Sequence, residues 1–186
     1  MATLVLDDES GSRSLDLALN AGNRYRAIVP RPALKIQLLR KLREAAPVAI
    51  VAARGGLIGN LKVWENLVLP IAYRGEARLG ELEARAEQLF RELGVLRGRF
   101  AELCALLPDR LSEFERRLAA FVRAMLAEPE IMVYDGLFDG LTRAEIEKAA
   151  GFDRLFQLHF PLRTAIYIDA DDPMLPALSA YPAFHL

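Results

Sequence analysis

The sequence has little of the chemistry on which several classes of protein depend. It contains one cysteine, Cys104, and only two histidines, His159 and His185, which are far apart in the chain. A disulfide needs a second cysteine and a Cys/His zinc site needs clustered ligands, so neither is expected. The formal net charge is −1. Such a chain has no basic footprint for DNA or RNA, and we expect no nucleic-acid partner.

Long apolar runs and targeting features are missing as well. No apolar run approaches the roughly 20 residues that cross a bilayer, and the sequence has no signal peptide. We therefore expect a cytoplasmic protein, held at the cytoplasmic face of the inner membrane by a membrane protein if it meets the membrane at all. Hydrophobic residues make up 53% of the 186 positions, enough for a substantial core. We expect one domain over residues 1–186.

Apolar patterns in the chain alternate between strand and helix. The run 131–134 ends in Asp135, which is typical of a buried parallel strand with a carboxylate at its C-terminal edge, where open α/β sheets bind ligands. Before it lies a helical pattern that opens with Ser112-x-x-Glu115, a capping box. The remaining predicted strands are 1–6, 15–19, 27–29 and 164–168, with a turn at 7–12, and the remaining predicted helices are 79–93, 103–107 and 144–156. Such alternation predicts an α/β fold.

The order of these segments resembles the ATP-binding cassette (ABC) ATPases. Residues 27–39 are similar to the strand, phosphate loop and helix of the family's first motif, 51–57 stand at its glutamine loop, and 111–135 resemble the signature helix and the metal-binding strand. Gly140-Leu141 matches the start of the D-loop. The resemblance implies a P-loop NTPase-like fold, with a mostly parallel sheet flanked by helices. It also implies a helical subdomain, which lies within about 57–127 together with the signature-like helix, and an antiparallel β subdomain that is reduced here.

The phosphate loop departs from the family's pattern. Glycines let successive N–H groups turn toward phosphates, while a Lys reaches the terminal oxygens and a Ser/Thr hydroxyl holds Mg²⁺. This chain reads Pro30-Arg-Pro-Ala-Leu-Lys35-Ile36, with no glycine, two positions without N–H, and Ile36 in place of the hydroxyl. We expect no cofactor here, neither ATP nor Mg²⁺. Lys35 and Asp135 are remnants of the nucleotide site. Lys35 and Arg31 either hold an anion near the helix N-terminus or form an ordinary solvated surface.

The groups that hydrolyse ATP in the family are also replaced. The resemblance puts Ala53 at the glutamine, Gly136 at the catalytic glutamate, Thr142 at the D-loop aspartate and Ala170 at the switch histidine. None of these can act as the missing base, and a general base contributes about 10²–10⁴-fold. The electrostatic stabilisation that dominates phosphoryl transfer is lost with the loop. The sequence therefore predicts no turnover and no catalytic residue.

The signature is degenerate in the same sense. Ser112 remains, but Glu113 and Phe114 replace the two glycines that let the helix approach a partner's phosphate. Carboxylates repel phosphate, by about 4 kcal/mol for unit charges 4 Å apart at an effective dielectric constant of 20.

The segment after the glutamine loop keeps its family character. In ABC ATPases it lines the groove that receives the coupling helix of the membrane subunit. Val63, Trp64, Leu67, Val68 and Ile71 form an apolar ridge at helical spacing, with Leu57 before it. The resemblance implies partner docking through Leu57, Trp64, Leu67 and Val68, although a lone Trp is more commonly core. The amino-acid sequence of this segment most resembles that of ATPases of phospholipid transporters that work with MCE-domain proteins.

Three functions are consistent with the sequence. The first is a catalytically inactive ABC-type subunit that docks on a membrane permease, with a structural or regulatory role, beside an active ATPase subunit or a second copy of the chain. The second is a residual ATP-binding subunit or slow ATPase that uses Lys35 and Asp135. The third is a free-standing adaptor or homodimeric interaction protein outside transport.

Overall fold

The fold was described from a computed structural model, in which residues 2–7, 14–73, 79–171 and 178–186 are placed. The first two strands, β1 (Ala2–Asp7) and β2 (Ser14–Leu19), pair antiparallel as a sheet of their own. We predicted these strands at the edge of a sheet, and the predicted turn between them lies almost entirely outside the described residues. Their pairing matches the expected small antiparallel subdomain.

A parallel sheet of five strands forms the centre of the described fold. Its order is β4-β5-β6-β3-β7, and every neighbouring pair is parallel. The strands are β3 (Arg24–Ile28), β4 (Val48–Ala52), β5 (Ile131–Asp135), β6 (Thr164–Asp169) and β7 (Ala183–His185). Parallel strands need crossover connections, which the helices supply.

Six α-helices flank the sheet over the described residues. They are α1 (Pro32–Ala45), α2 (Val63–Ala72), α3 (Leu79–Glu92), α4 (Arg97–Ala105), α5 (Glu113–Leu126) and α6 (Arg143–His159), with a 3₁₀ turn at Pro108–Arg110. The predicted helices at 79–93 and 144–156 are confirmed. The helix predicted at 103–107 is displaced: α4 begins at Arg97 and ends at Ala105, two residues before the extended residue that precedes Pro108.

The central strands are buried on both faces, and alternate residues belong to different cores. Ile131 and Val133 point into the core that α1 covers, while Met132 and Tyr134 belong to the core on the side of α2 to α6. All four are at most 5% exposed. This explains why the strand reads as a continuous apolar run rather than an alternation.

Two further features of the fold bear on the sequence predictions. Strand β6 was predicted as the last core strand, but β7 follows it and lies on the other side of β3. A three-residue strand in a segment rich in proline has too short a pattern to be recognised. Among the described residues, no helix is long and apolar enough to span a membrane.

Candidate functional site

Helix α1 begins too early for the segment after β3 to form a phosphate loop. Strand β3 ends at Ile28 and α1 begins at Pro32, which leaves residues 29–31 between them. A phosphate loop has six residues between its strand and the lysine; residues 29–34 are also six, but 32–34 already belong to α1. Here Lys35 already lies in the first turn of α1, and its N–H donates to the Arg31 carbonyl at 3.2 Å. The backbone is therefore regular helix where a cradle of N–H groups would be required.

The two remnants of the nucleotide site contact each other. Lys35 Nζ lies 3.1 Å from Asp135 Oδ1, and the two side chains are 37% and 20% exposed. Asp135 ends β5 at the C-terminal edge of the sheet, as predicted, and α1 carries Lys35 over that edge. The lysine and the carboxylate partly neutralise each other, so each attracts phosphate or Mg²⁺ less strongly than a free group would. The adjacent Ile36 is 68% exposed and offers no oxygen ligand.

The position of the expected glutamate is unfavourable for any side chain. Gly136 has φ = +61°, and a Cβ added there would lie 2.5 Å from Asp139 Oδ2 and 3.3 Å from the Ala53 Cβ. A left-handed conformation already costs other residues about 1–2 kcal/mol. Ala53 is fixed beside it, because its N–H donates to the Asp135 carbonyl at 2.8 Å. Positions 53 and 136 thus lie together, and neither carries a group that could activate water.

The start of α5 is satisfied by its own side chains. Ser112 Oγ accepts from the Glu115 N–H at 3.1 Å, and Glu115 Oε2 accepts from the Ser112 N–H at 2.9 Å, which completes the predicted capping box. Glu115 also pairs with Arg99. Partial burial acts to raise the pKa of Glu115, but the hydrogen bonds from Arg99 and Ser112 outweigh it and lower that pKa. Glu115 therefore stays ionised, and exposed Glu113 adds a second carboxylate.

Two other replaced positions have ordinary surroundings. Thr142 caps α6: its Oγ1 accepts from the Glu145 N–H at 3.4 Å and donates to Glu145 Oε2 at 2.7 Å. Ala170 follows β6 and is exposed. Both fulfil local roles in which the family's aspartate and histidine are not needed.

Comparison with solved structures identifies the architecture. CbiO1 of Clostridium perfringens, part of the ABC transporter complex CbiONQ, superposes with a TM-score of 0.68 at 15% identity, over 90% of this chain and 76% of that one. The ATP-binding cassette MJ0796, a dimer bound to ADP and Pi, gives 0.69 at 17% identity, over 90% and 86%. An inward-facing structure described as a metal-chelate type ABC transporter gives 0.74 at 14% identity, over 98% and 77%.

The chain has the fold of an ABC transporter ATPase domain. The predicted fold class is therefore confirmed. Comparisons with protein-family models and with curated proteins find no match. At identities of 14–17% the similarity concerns the fold alone.

The segment expected to dock on a partner comprises α2 and the loop before it, and the structure divides its residues into two groups. Leu67 has no exposed surface and lies in the core together with Val63 and Ile71. Leu67 therefore stabilises α2 from inside, and its assignment as a docking residue is corrected: the ridge faces the domain. Leu57, Trp64 and Val68 are partly exposed and pack against the same core.

Sequence reasoning missed Asn66, which organises this segment. It is fully buried, and its Oδ1 accepts from the Ile58 N–H at 2.7 Å. Its Nδ2 lies 3.0–3.1 Å from the carbonyls of Ile58, Leu61 and Lys62. A single amide in a mostly apolar helix gave the only signal, since a buried polar side chain must have partners.

Arg117 was also missed. It is 2% exposed on α5, and its Nη2 donates to the Asp139 carbonyl, while its Nε and Nη1 have no hydrogen-bond partner among the described residues. Burial lowers the pKa of Arg117, although nearby Glu113, Asp139 and Glu145 favour its charge. Its place in the sequence, beside exposed charges, gave no sign that it would be buried. The guanidinium ties the segment after β5 to the signature-like helix.

Proposed function

We propose that the chain is an ABC-type ATPase-like subunit that no longer uses nucleotide and instead docks on a membrane permease, with a structural or regulatory role. The observation that carries this proposal is the Lys35–Asp135 ion pair, 3.1 Å long, beside a connection of only three residues between β3 and α1. Gly136 supports it independently, because its left-handed backbone and the nearby Asp139 carboxylate disfavour a side chain at the position of the base.

The argument for lost binding is electrostatic. ATP·Mg²⁺ in this fold would need a free lysine, a free carboxylate and a row of backbone N–H groups. Here the lysine and the carboxylate are occupied by each other, and regular helix replaces the row. An ion pair this exposed is worth only about 1 kcal/mol or less, so its rupture alone would not forbid binding. The missing cradle adds the larger obstacle.

The argument for docking comes from what has been kept. Asn66 holds the loop before α2, since its Oδ1 accepts from the Ile58 N–H and its Nδ2 donates to carbonyls of that loop. The solved structures with this fold include a component of an ABC transporter complex. A preformed surface binds at lower entropic cost than a mobile one. Within this proposal the chain works at the cytoplasmic face of the inner membrane. Phospholipid transport, which the sequence of this segment suggested, remains part of the proposal.

Calorimetry with ATP·Mg²⁺ tests the nucleotide half of the proposal. We expect no heat of binding and no change of melting temperature at millimolar nucleotide. Phosphate release and nucleotide binding that both disappear in Lys35→Ala would refute it, and would favour the second candidate, a residual ATP-binding subunit or slow ATPase. That candidate has one observation in its favour, namely that Lys35 and Asp135 are both retained at the same sheet edge.

Fractionation of native cells tests the docking half. We expect the protein to sediment with membranes and to be released by alkaline carbonate, which strips peripheral subunits. Its recovery only in the soluble fraction, as a monodisperse dimer, would instead support the free-standing adaptor or homodimer.

A further inference from the structure

A groove of about 600 Å³ lies along the outer side of α6. Glu92 and Leu93, at the end of α3, form part of its wall, and the rest of its lining comes from α6. The opposite side of α6 carries Phe152 and Phe156 into the core. Leu158, on the outer side, is 76% exposed. We call this outer side the α6 face, and it consists of Ala144, Glu147, Lys148, Gly151, Arg154 and Leu158.

The middle of the α6 face has a glycine that the chain itself does not need. Ala144, Gly151 and Leu158 follow one another at intervals of seven positions, so they lie near one line along the helix. Glycine inside a helix is destabilising relative to alanine. Among the described residues, a Cβ at Gly151 would meet only Arg154 Nη2, at 3.6 Å, which is an ordinary contact. A close approach by an element from outside the chain would give the glycine a role.

A second copy of α6 fits this face when the two helices are antiparallel. About a twofold axis at Gly151, each residue faces the residue that lies equally far beyond Gly151 in the second copy. Leu158 then lies opposite Ala144 of the second copy, so a large apolar side chain meets a small one at both ends. The two glycines meet at the centre and let the helices approach closely.

The charges of the α6 face match in the same arrangement. An α-helix turns by about 100° per residue, which puts Glu147 and Arg154 on one flank of the central line and Lys148 on the other. Glu147 therefore comes next to Arg154 of the second copy, and the twofold axis forms this pair twice. Lys148 lies on the opposite flank from Arg154 of the second copy, so the two cations do not meet.

Both members of this intermolecular pair are available. Arg154 is exposed and forms no ion pair with a described residue. Glu147 lies 3.6 Å from Arg143, but both side chains are highly exposed, and an ion pair of that kind contributes little. Little is therefore lost when Glu147 exchanges Arg143 for Arg154 of a second copy.

The combination favours a second copy over other occupants of the groove. A small anion would use Arg154 and Lys148, which lie on opposite flanks, and would leave Leu158 exposed. A different protein would not need an acid and a base at nearly equal distances from Gly151, nor a large and a small apolar residue at equal distances from it. Self-association does need both.

We propose that two copies of the chain associate through the α6 face, as an antiparallel and twofold-symmetric pair of α6 helices centred on Gly151. The face includes neither Lys35 nor Asp135, so it is separate from the remnant of the nucleotide site. The inference does not rest on the proposed docking on a permease, which membrane fractionation tests separately.

Charge exchange tests the pairing. Sedimentation equilibrium of the purified chain, without nucleotide and at low ionic strength, should show a dimer. Arg154→Glu and Glu147→Arg should each weaken dimerisation at least about tenfold, because both symmetric pairs become repulsive. The double variant restores opposite charges and should dimerise within about threefold of the parent. Arg40→Glu, on exposed α1, is the control and should change nothing. Melting temperatures confirm that each variant is folded.

Cysteine crosslinking tests the direction of the helices. Ala144→Cys protein is mixed with Leu158→Cys protein and treated with a short bismaleimide, and the mixture should give a crosslinked dimer. Either variant alone should not, because its two cysteines would be about 21 Å apart along the helix axis. Gln157→Cys replaces Leu158→Cys as the matched control, since Gln157 is exposed but points about 100° away. The parent chain controls for Cys104.

Three results would overturn the inference. The first is a monomer at every concentration measured. The second is a dimer that neither charge reversal weakens, or that the double variant does not recover. The third is a crosslink that each cysteine variant forms by itself, which would indicate parallel helices. Each of these results would leave the proposed docking function standing, whereas absence of the protein from membranes would refute that function and leave the α6 pair untouched.

Discussion

Gly136 offers the sharpest test of how the base position was closed. Two separate costs oppose a side chain there: a left-handed backbone with φ = +61°, and the Asp139 carboxylate 2.5 Å from the added Cβ. The backbone cost is about 1–2 kcal/mol, and the steric cost is about another 1 kcal/mol because Asp139 or Ala53 must move. We expect Gly136→Ala to lower the free energy of unfolding by about 2–3 kcal/mol in urea denaturation.

The chain provides a matched control for the backbone cost. Gly94 has φ = +82°, and nothing lies within 4 Å of an added Cβ. Gly94→Ala should therefore cost only about 1–2 kcal/mol. In an Asp139→Ala background most of the steric part of the Gly136→Ala cost should disappear, leaving only the 3.3 Å contact with the Ala53 Cβ, so that the two glycine substitutions become similar. Equal costs of the two single substitutions in the parent chain would refute the reasoning. Gly136→Glu should be destabilised and should show no ATPase activity.

The remaining predictions concern stability and reactivity. Asn66→Ala should lower the free energy of unfolding by about 2–4 kcal/mol, since it leaves several loop groups without partners; the exposed neighbour Asn60 is the control, and equal effects of Asn60→Ala and Asn66→Ala would contradict the role of the amide. Ser112→Ala should cost about 1 kcal/mol through the lost cap of α5, and a cost near zero in urea denaturation would contradict it. Burial raises the pKa of the Cys104 thiol to about 12, so labelling by a disulfide reagent at pH 8 should be roughly a thousandfold slower than for a free cysteine, whose pKa is about 8.5. Labelling at the rate of the unfolded chain would show that the thiol is accessible and ionisable.

The sequence predicted those parts of the fold whose signals are local. Strand β5 was recognisable because both of its faces are apolar, and the start of α5 was recognisable because Ser112 and Glu115 cap each other over three residues. The outward or inward direction of α2 was not recognisable. An apolar ridge has the same spacing whether it faces a partner or the core, and only packing against α4 and α5 decided that Leu67 is internal.

The sequence predicted which groups of a nucleotide site are missing, but it predicted few of the contacts between the residues that are present. The missing glycines and the missing hydroxyl of the phosphate loop can be read directly from the sequence. The Lys35–Asp135 pair cannot, because it joins residues one hundred positions apart and depends on how far α1 extends toward β3. The roles of Asn66 and Arg117 were hidden for the same reason. The burial of a polar residue can be predicted only when the helices and strands that pack around it are known.

The position of β3 has a consequence for the order in which this protein can fold during synthesis. Its two neighbours in the sheet are β6 and β7, which are synthesised more than 130 residues after β3. The stacking of Tyr25 on Phe184, with ring centroids 5.4 Å apart, likewise forms only after Phe184 has been synthesised. Sequence-distant parallel pairing forms slowly. The nascent chain must therefore carry β3 without a lateral neighbour until residues 164–185 have left the exit tunnel, a period in which a chaperone would be of most use.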